Sequence, residues 1–195
     1  MSEEGELWNS RFLFTVPRSN TLGPRIIAAG PFLSHLRGMT VPPSDALLRD
    51  VLTSARTFAC VGVSANPIRP SHYVARYLSR RGFRVIGVNP GHAGERLFGE
   101  TVVAGLSDIA APVDVLDIFR RPEAVPAIVE EGLRVLPGLS CVWLQIGVTS
   151  AEAGEMCRAA GVIFIEDRCP KIEYQRLFGE LRMGGFNTGI VSSRL

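Results

Sequence analysis

The chain has 195 residues, 21% of them charged and 46% hydrophobic, and a formal net charge of +2. Those proportions suit one globular domain with a sizeable core, and the scattered Lys and Arg residues exclude a basic stripe for nucleic acid. No apolar run approaches the roughly 20 residues that span a bilayer.

The four cysteines, Cys60, Cys141, Cys157 and Cys169, make neither a CxxC pair nor a metal-ligand spacing with the three histidines. The acidic start, Met1-Ser2-Glu3-Glu4-Gly5-Glu6, is unlike a secretory leader. Together these features predict a cytoplasmic protein with reduced thiols, no bound metal, no membrane and no nucleic-acid partner.

Residues 1–41 show no sustained period, and Pro17, Pro24 and Pro31 interrupt their apolar patches. They read as an extension, partly disordered or draped over the domain. The domain itself is expected over residues 42–182, with residues 183–195 as a Gly-rich tail. Ser44-Asp45 caps a short helix to about Thr53, with Leu47, Leu48, Val51 and Leu52 on one face. Phe58 to Val63 is a buried strand, followed by the small, polar loop Ser64 to Pro70. A helix then starts at Ser71 as N-cap, with Val74, Tyr77 and Leu78 as its apolar stripe, and Gly82 closes it.

Phe83 to Val88 is the second strand, ending at Asn89-Pro90-Gly91. The stretch 91–105 is rich in turns. Val113 to Phe119 is a third strand, and Arg120-Arg121-Pro122 leads into a helix to about Leu133. Cys141 to Gly147 is a fourth strand, Thr149 or Ser150 caps the next helix, and Val162 to Ile165 is a fifth strand. A last helix runs from about Lys171 to Leu181. Five alternations of strand and helix predict an α/β, Rossmann-like, doubly wound fold: a mainly parallel five-stranded sheet with helices on both faces. The expected strand order is 3-2-1-4-5.

In such a sheet a ligand lies beyond the carboxyl ends of the strands, and the first turn faces a helix N-terminus suited to phosphate. Neither a Gly-Lys-Ser/Thr ending nor G-x-G-x-x-G is present. The second strand ends on Val88-Asn89-Pro90, without the carboxylate that holds a NAD ribose. That disfavours NAD and keeps ligands with a phosphorylated ribose, NADP or coenzyme A.

The motifs Val61-Gly62-Val63-Ser64, Arg69-Pro70-Ser71, Val88-Asn89-Pro90, Phe119-Arg120-Arg121-Pro122, Trp143 to Val148 and Asp167-Arg168-Cys169 occur in order over roughly residues 44–180. In this the chain resembles the small stand-alone CoA-binding proteins, which are similar to the Rossmann-like CoA-binding domain of the succinyl-CoA synthetase α subunit. The resemblance implies that Gly62, Ser64, Ala65 and Asn66 cradle the phosphates of CoA or an acyl-CoA, with Arg69 and Ser71 at the start of the helix behind them. It sets Val88, Asn89 and Pro90 by the adenosine, and Phe119, Arg120 and Arg121 at the next strand end. Many relatives carry a Lys after the Pro that ends strand two, suited to the ribose phosphate; here Gly91-His92 stand there, so that contact is either weaker or passes to His92 or Arg69.

The implied function is non-catalytic binding, with no catalytic residue assigned. Two rivals come from enzyme classes. An NADP-dependent reductase needs a proton donor such as Tyr-x-x-x-Lys, a pattern that Tyr73, Tyr77 and Tyr174 do not complete. CoA-linked thiol chemistry would use Cys169, whose neighbours Arg168 and Lys171 could lower its pKa. His72 could donate to a phosphate or be merely exposed, and Trp143 is expected in the core. Asp167 and Glu173 are expected to form an ion-pair set with Arg168 and Lys171.

Overall fold

The computed structural model describes residues 42–180; residues 1–41 and 181–195, which hold the expected extension and tail, lie outside the described residues. Helix α1, Asp45–Ser54, starts as expected, because the Ser44 side chain accepts from the Leu47 amide. Strand β1, Thr57–Val61, leads through a loop to α2, Pro70–Arg80, and then to β2, Arg84–Val88. A small antiparallel hairpin, β3 Arg96–Leu97 and β4 Glu100–Thr101, occupies the turn-rich stretch. Strand β5, Val115–Ile118, precedes a 3-10 turn, Pro122–Ala124, that opens into α3, Val125–Val135. Strand β6, Cys141–Leu144, helix α4, Ala151–Ala160, strand β7, Ile163–Ile165, and helix α5, Pro170–Leu177, complete the domain.

The five long strands form one sheet, and every pairing within it is parallel. Side chains alternate across it, as a period of two requires. Phe58, Cys60, Val115, Cys141 and Trp143 pack with α1, α2 and α5 on one face. Ala59, Leu116, Ile118, Val142 and Leu144 pack with α3 and α4 on the other. Phe58, Leu48 and Trp143 are fully buried, each worth about 1.5–3 kcal/mol by transfer from water. Trp143 is therefore a core residue, and its indole N–H donates to the Arg168 carbonyl at 2.9 Å.

The fold class agrees with the sequence, but the strand order does not. The sheet runs β2-β1-β5-β6-β7, which is 2-1-3-4-5 for its five strands, not 3-2-1-4-5. The reason lies at the outer edge of β2. Val103 donates to Gly87 O and accepts from Asn89 N there, both at 2.9 Å. The turn-rich stretch thus satisfies the edge that a third strand would have used. β5 pairs instead with the open edge of β1, Phe58 facing Val115 and Val61 facing Ile118.

Helix α5 is fixed by buried charge. Glu173 is fully buried, and its carboxylate meets Arg168 at 2.8 Å and Arg176 at 2.7 Å. Arg176 also reaches Asp45 of α1 at 2.6 Å, joining the two helices. The expected ion-pair set thus forms around Arg176 and not Lys171, which lies over the rings of Tyr73 and Tyr77.

Candidate ligand-binding site

The chain leaves β1 through α2 toward β2, then crosses back over β1 to reach β5. Loops leaving two adjacent strands in opposite directions open a crevice beyond their carboxyl ends. Because β5 adjoins β1, this brings Phe119, Arg120 and Arg121 beside the loop that begins at Gly62; the expected order would have held them apart. Gly62 makes that approach possible. Its φ is +85°, and a Cβ there would stand 2.8 Å from Arg120 Cδ and 2.9 Å from Phe119 O. Both the left-handed backbone and the crowding require glycine.

The loop is held from within. The Asn66 amide donates to Ser64 Oγ, the Ile68 amide to Asn66 Oδ1, and the Arg69 amide to Asn66 O, each at 3.1 Å. His72 Nδ1 donates to Ser64 O at 2.9 Å, so this nitrogen braces the loop and is not available to a phosphate. The amides of Val63, Ser64 and Ala65, in contrast, donate to no group among the described residues. Val63 is buried, but Ser64 and Ala65 are only half-buried, and successive N–H groups of this kind attract anions.

Behind the loop, α2 begins two residues earlier than expected: Arg69 is the N-cap and Pro70 the first helical residue. Proline lacks an N–H and is preset in φ for that position, so it displaces Ser71 from the cap. Ser71 is buried in the first turn.

At the end of β2, Asn89 Nδ2 donates to Val63 O at 2.6 Å and Asn89 Oδ1 accepts from Gly91 N at 2.9 Å. Its side chain ties the second strand end to the first loop. Val88 points into the core and Pro90 is exposed. His92 Nδ1 meets the Glu95 carboxylate at 2.9 Å, which sets a negative charge beside it and leaves Arg69 as the better partner for an anion. Arg69, Arg120 and Arg121 are exposed and form no ion pair among the described residues.

Sequence reasoning passed over Asp117, the polar member of an otherwise apolar strand. It is fully buried on β5, where its carboxyl accepts from Gln145 Nε2 at 2.6 Å and contacts Cys60 Sγ at 3.9 Å. Burial pushes its pKa up to about 7, partly opposed by those two bonds. The signal was available: one carboxylate between Leu116 and Ile118 in a strand that the sheet covers on both faces. Beyond Gln145, the Gly147 amide donates to Asp167 Oδ1 at 2.9 Å. Asp167 adopts a φ of 53°, a conformation that Asp tolerates better than most residues.

Cys169 is a correction. It is 5% exposed at the N-cap of α5, and burial pushes its thiol up to about 11, against the weaker effect of nearby backbone amides. Arg168 is turned to Glu173, and Lys171, placed over the tyrosines, lowers it too weakly to offset burial. A thiol so shifted is mostly protonated at neutral pH, which makes it a poor nucleophile. Tyr77 is likewise engaged, donating to Glu180 Oε2 at 2.6 Å.

Residues 56–175 match the family model described as a CoA binding domain. The chain belongs to this CoA-binding domain family. The matched span runs from just before β1 into α5 and contains every residue of the crevice. The chain is 33% identical over 132 residues to the uncharacterized protein YneT of Bacillus subtilis (strain 168), covering 68% of this chain and 95% of that one. Among solved structures it is similar to cell-free ID.343 from Thermus thermophilus, at 43% identity and a TM-score of 0.66, over 70% of this chain and 100% of that one. A hypothetical protein from Pyrococcus horikoshii OT3 shares 31% identity at a TM-score of 0.66, over 73% of this chain and 100% of that one. No described helix of this CoA-binding domain protein is long and apolar enough to cross a membrane.

Proposed function

We propose that the protein binds coenzyme A, or an acyl-CoA, without transforming it. The observation that carries this reading is the pair of half-buried amides at Ser64 and Ala65, which donate to no group among the described residues and are set between the end of β1 and the N-terminus of α2. A diphosphate suits that place. Gly62 lets the backbone approach, Asn66 shapes the turn, and Ser71 lies in the helical turn behind. Val88, Asn89 and Pro90 border the adenosine, with no carboxylate to repel a phosphorylated ribose. Arg69, Arg120 and Arg121, with no ion pair among the described residues, supply positive charge around the crevice, and Phe119 stands with Arg120 and Arg121 at the end of β5.

Membership of the family supports CoA over NADP, which would meet the same amides. So does the state of the reactive side chains. Hydride transfer to a carbonyl wants a proton donor and thiol exchange wants a thiolate. Tyr77 is bonded to Glu180, and Cys169 is buried and protonated.

Calorimetric titration of ligand-stripped protein with CoA, dephospho-CoA, NADP and NAD tests the reading. CoA is expected to bind most tightly. Dephospho-CoA should be weaker by about tenfold or more, the worth of one charge-assisted contact. A preference for NADP over CoA would overturn the assignment.

A further inference from the structure

We infer that Gln145 is a specificity residue for the pantetheine arm of the ligand, reading one of its secondary amides, and that Asp117 is the positioning residue that fixes it. This rests on the CoA reading above. Gln145 stands at the carboxyl end of β6, half-buried, one strand beyond β5. Its Nε2 donates to the buried Asp117 carboxyl at 2.6 Å, and that is its side chain's one bond among the described residues. Once ionised, above about pH 7, the Asp117 carboxyl only accepts, so there the bond decides which way the amide is turned. Nε2 is held inward, and Oε1 is left to accept from something outside. Asp117 is anchored by its own burial: it has no ion pair among the described residues, and its other contact is the Cys60 thiol.

The reach is right. From the amides after β1 to Gln145 is two strand spacings, about 10 Å. An extended chain covers about 3.3–3.6 Å per three bonds, so the second amide nitrogen of the pantetheine arm, nine bonds from the diphosphate, lies about 10 Å along it. A secondary amide N–H needs an acceptor when it leaves water, and Oε1 of a fixed glutamine provides one. The titratable groups around Asp117 from the packed elements are the thiols of Cys60, Cys141 and Cys169, all pushed up by burial and neutral near pH 7. Nothing cationic among these competes with Gln145 for the carboxyl.

The test compares CoA with 3′-phospho-ADP, which has the phosphates and adenosine but no arm. Gln145→Leu should weaken CoA by about three- to tenfold and leave 3′-phospho-ADP unchanged. Asp117→Leu, which releases the glutamine, should weaken CoA in the same selective way, and Asp117→Asn, which keeps an acceptor oxygen for Nε2, should restore it. Rescue by Asn but not Leu separates positioning from mere packing. Equal losses for both ligands in Gln145→Leu, or unchanged CoA affinity, would overturn the role of Gln145. Wild-type protein that binds neither ligand would overturn the CoA reading itself, and this inference with it.

Discussion

Glu173→Ala is expected to destabilise the domain by about 3–5 kcal/mol, a fall in melting temperature of roughly 10 °C for a domain of this size. Glu173 is fully buried and binds Arg168 and Arg176 through its two carboxylate oxygens. Arg168 is itself 9% exposed, so removing the carboxylate takes a buried countercharge from a largely desolvated guanidinium. A buried pair is a poor source of net stability, but breaking one from a single side is costly. The effect should also loosen α5 from α1, since Arg176 holds Asp45 while it holds Glu173. Urea denaturation measures it. A loss below about 1 kcal/mol would show that water or a rearranged partner replaces the carboxylate.

Asp117→Asn should do the opposite at alkaline pH. The Asp117 carboxyl titrates near 7 in the folded protein because burial disfavours its charge, against 3.8 ordinarily. Between those values the folded state keeps a proton that the unfolded chain has lost. The unfolded state therefore binds fewer protons, and stability falls as pH rises from about 4 to about 7, then levels. Asparagine has no such titration. The variant is expected to be more stable by up to about 4 kcal/mol at pH 8, with the difference shrinking toward pH 5. Denaturation curves at both pH values decide it. A difference that does not change with pH would mean that Asp117 is already ionised at pH 5 and that its bonds to Gln145 and Cys60 outweigh desolvation.

The strands and helices were legible because each announces itself locally. Phe58 to Cys60 and Val115 to Ile118 are apolar runs of strand length, Ser44 and Ser150 are caps that accept from the first helical turn, and Gly161 ends α4 in the left-handed conformation. The strand order was not legible. It turns on Val103, whose backbone covers the edge of β2 although its neighbours carry no strand pattern. The first loop of the site could be read from its small residues and its place before a helix. The bracing that its side chains do could not: Asn89 donates to Val63 O, and His72 spends its Nδ1 on Ser64.

Long-range partners were the least visible. Arg176 and Asp45 are 131 positions apart, and nothing local in either segment names the other. Asp117 and Gln145 belong to strands whose pairing is known only once the sheet is built. The low pKa expected of Cys169 failed for a related reason, because the fold buries the thiol and turns Arg168 to Glu173.

The most direct measurement is a two-dimensional amide NMR titration of isotope-labelled protein with CoA. If the open N–H groups receive the diphosphate, the resonances of Ser64 and Ala65 should move downfield together, with those of Ser71 and Arg120 following, as CoA saturates. Saturation by CoA with these amides unmoved, and the shifts gathered elsewhere on the domain, would contradict the account.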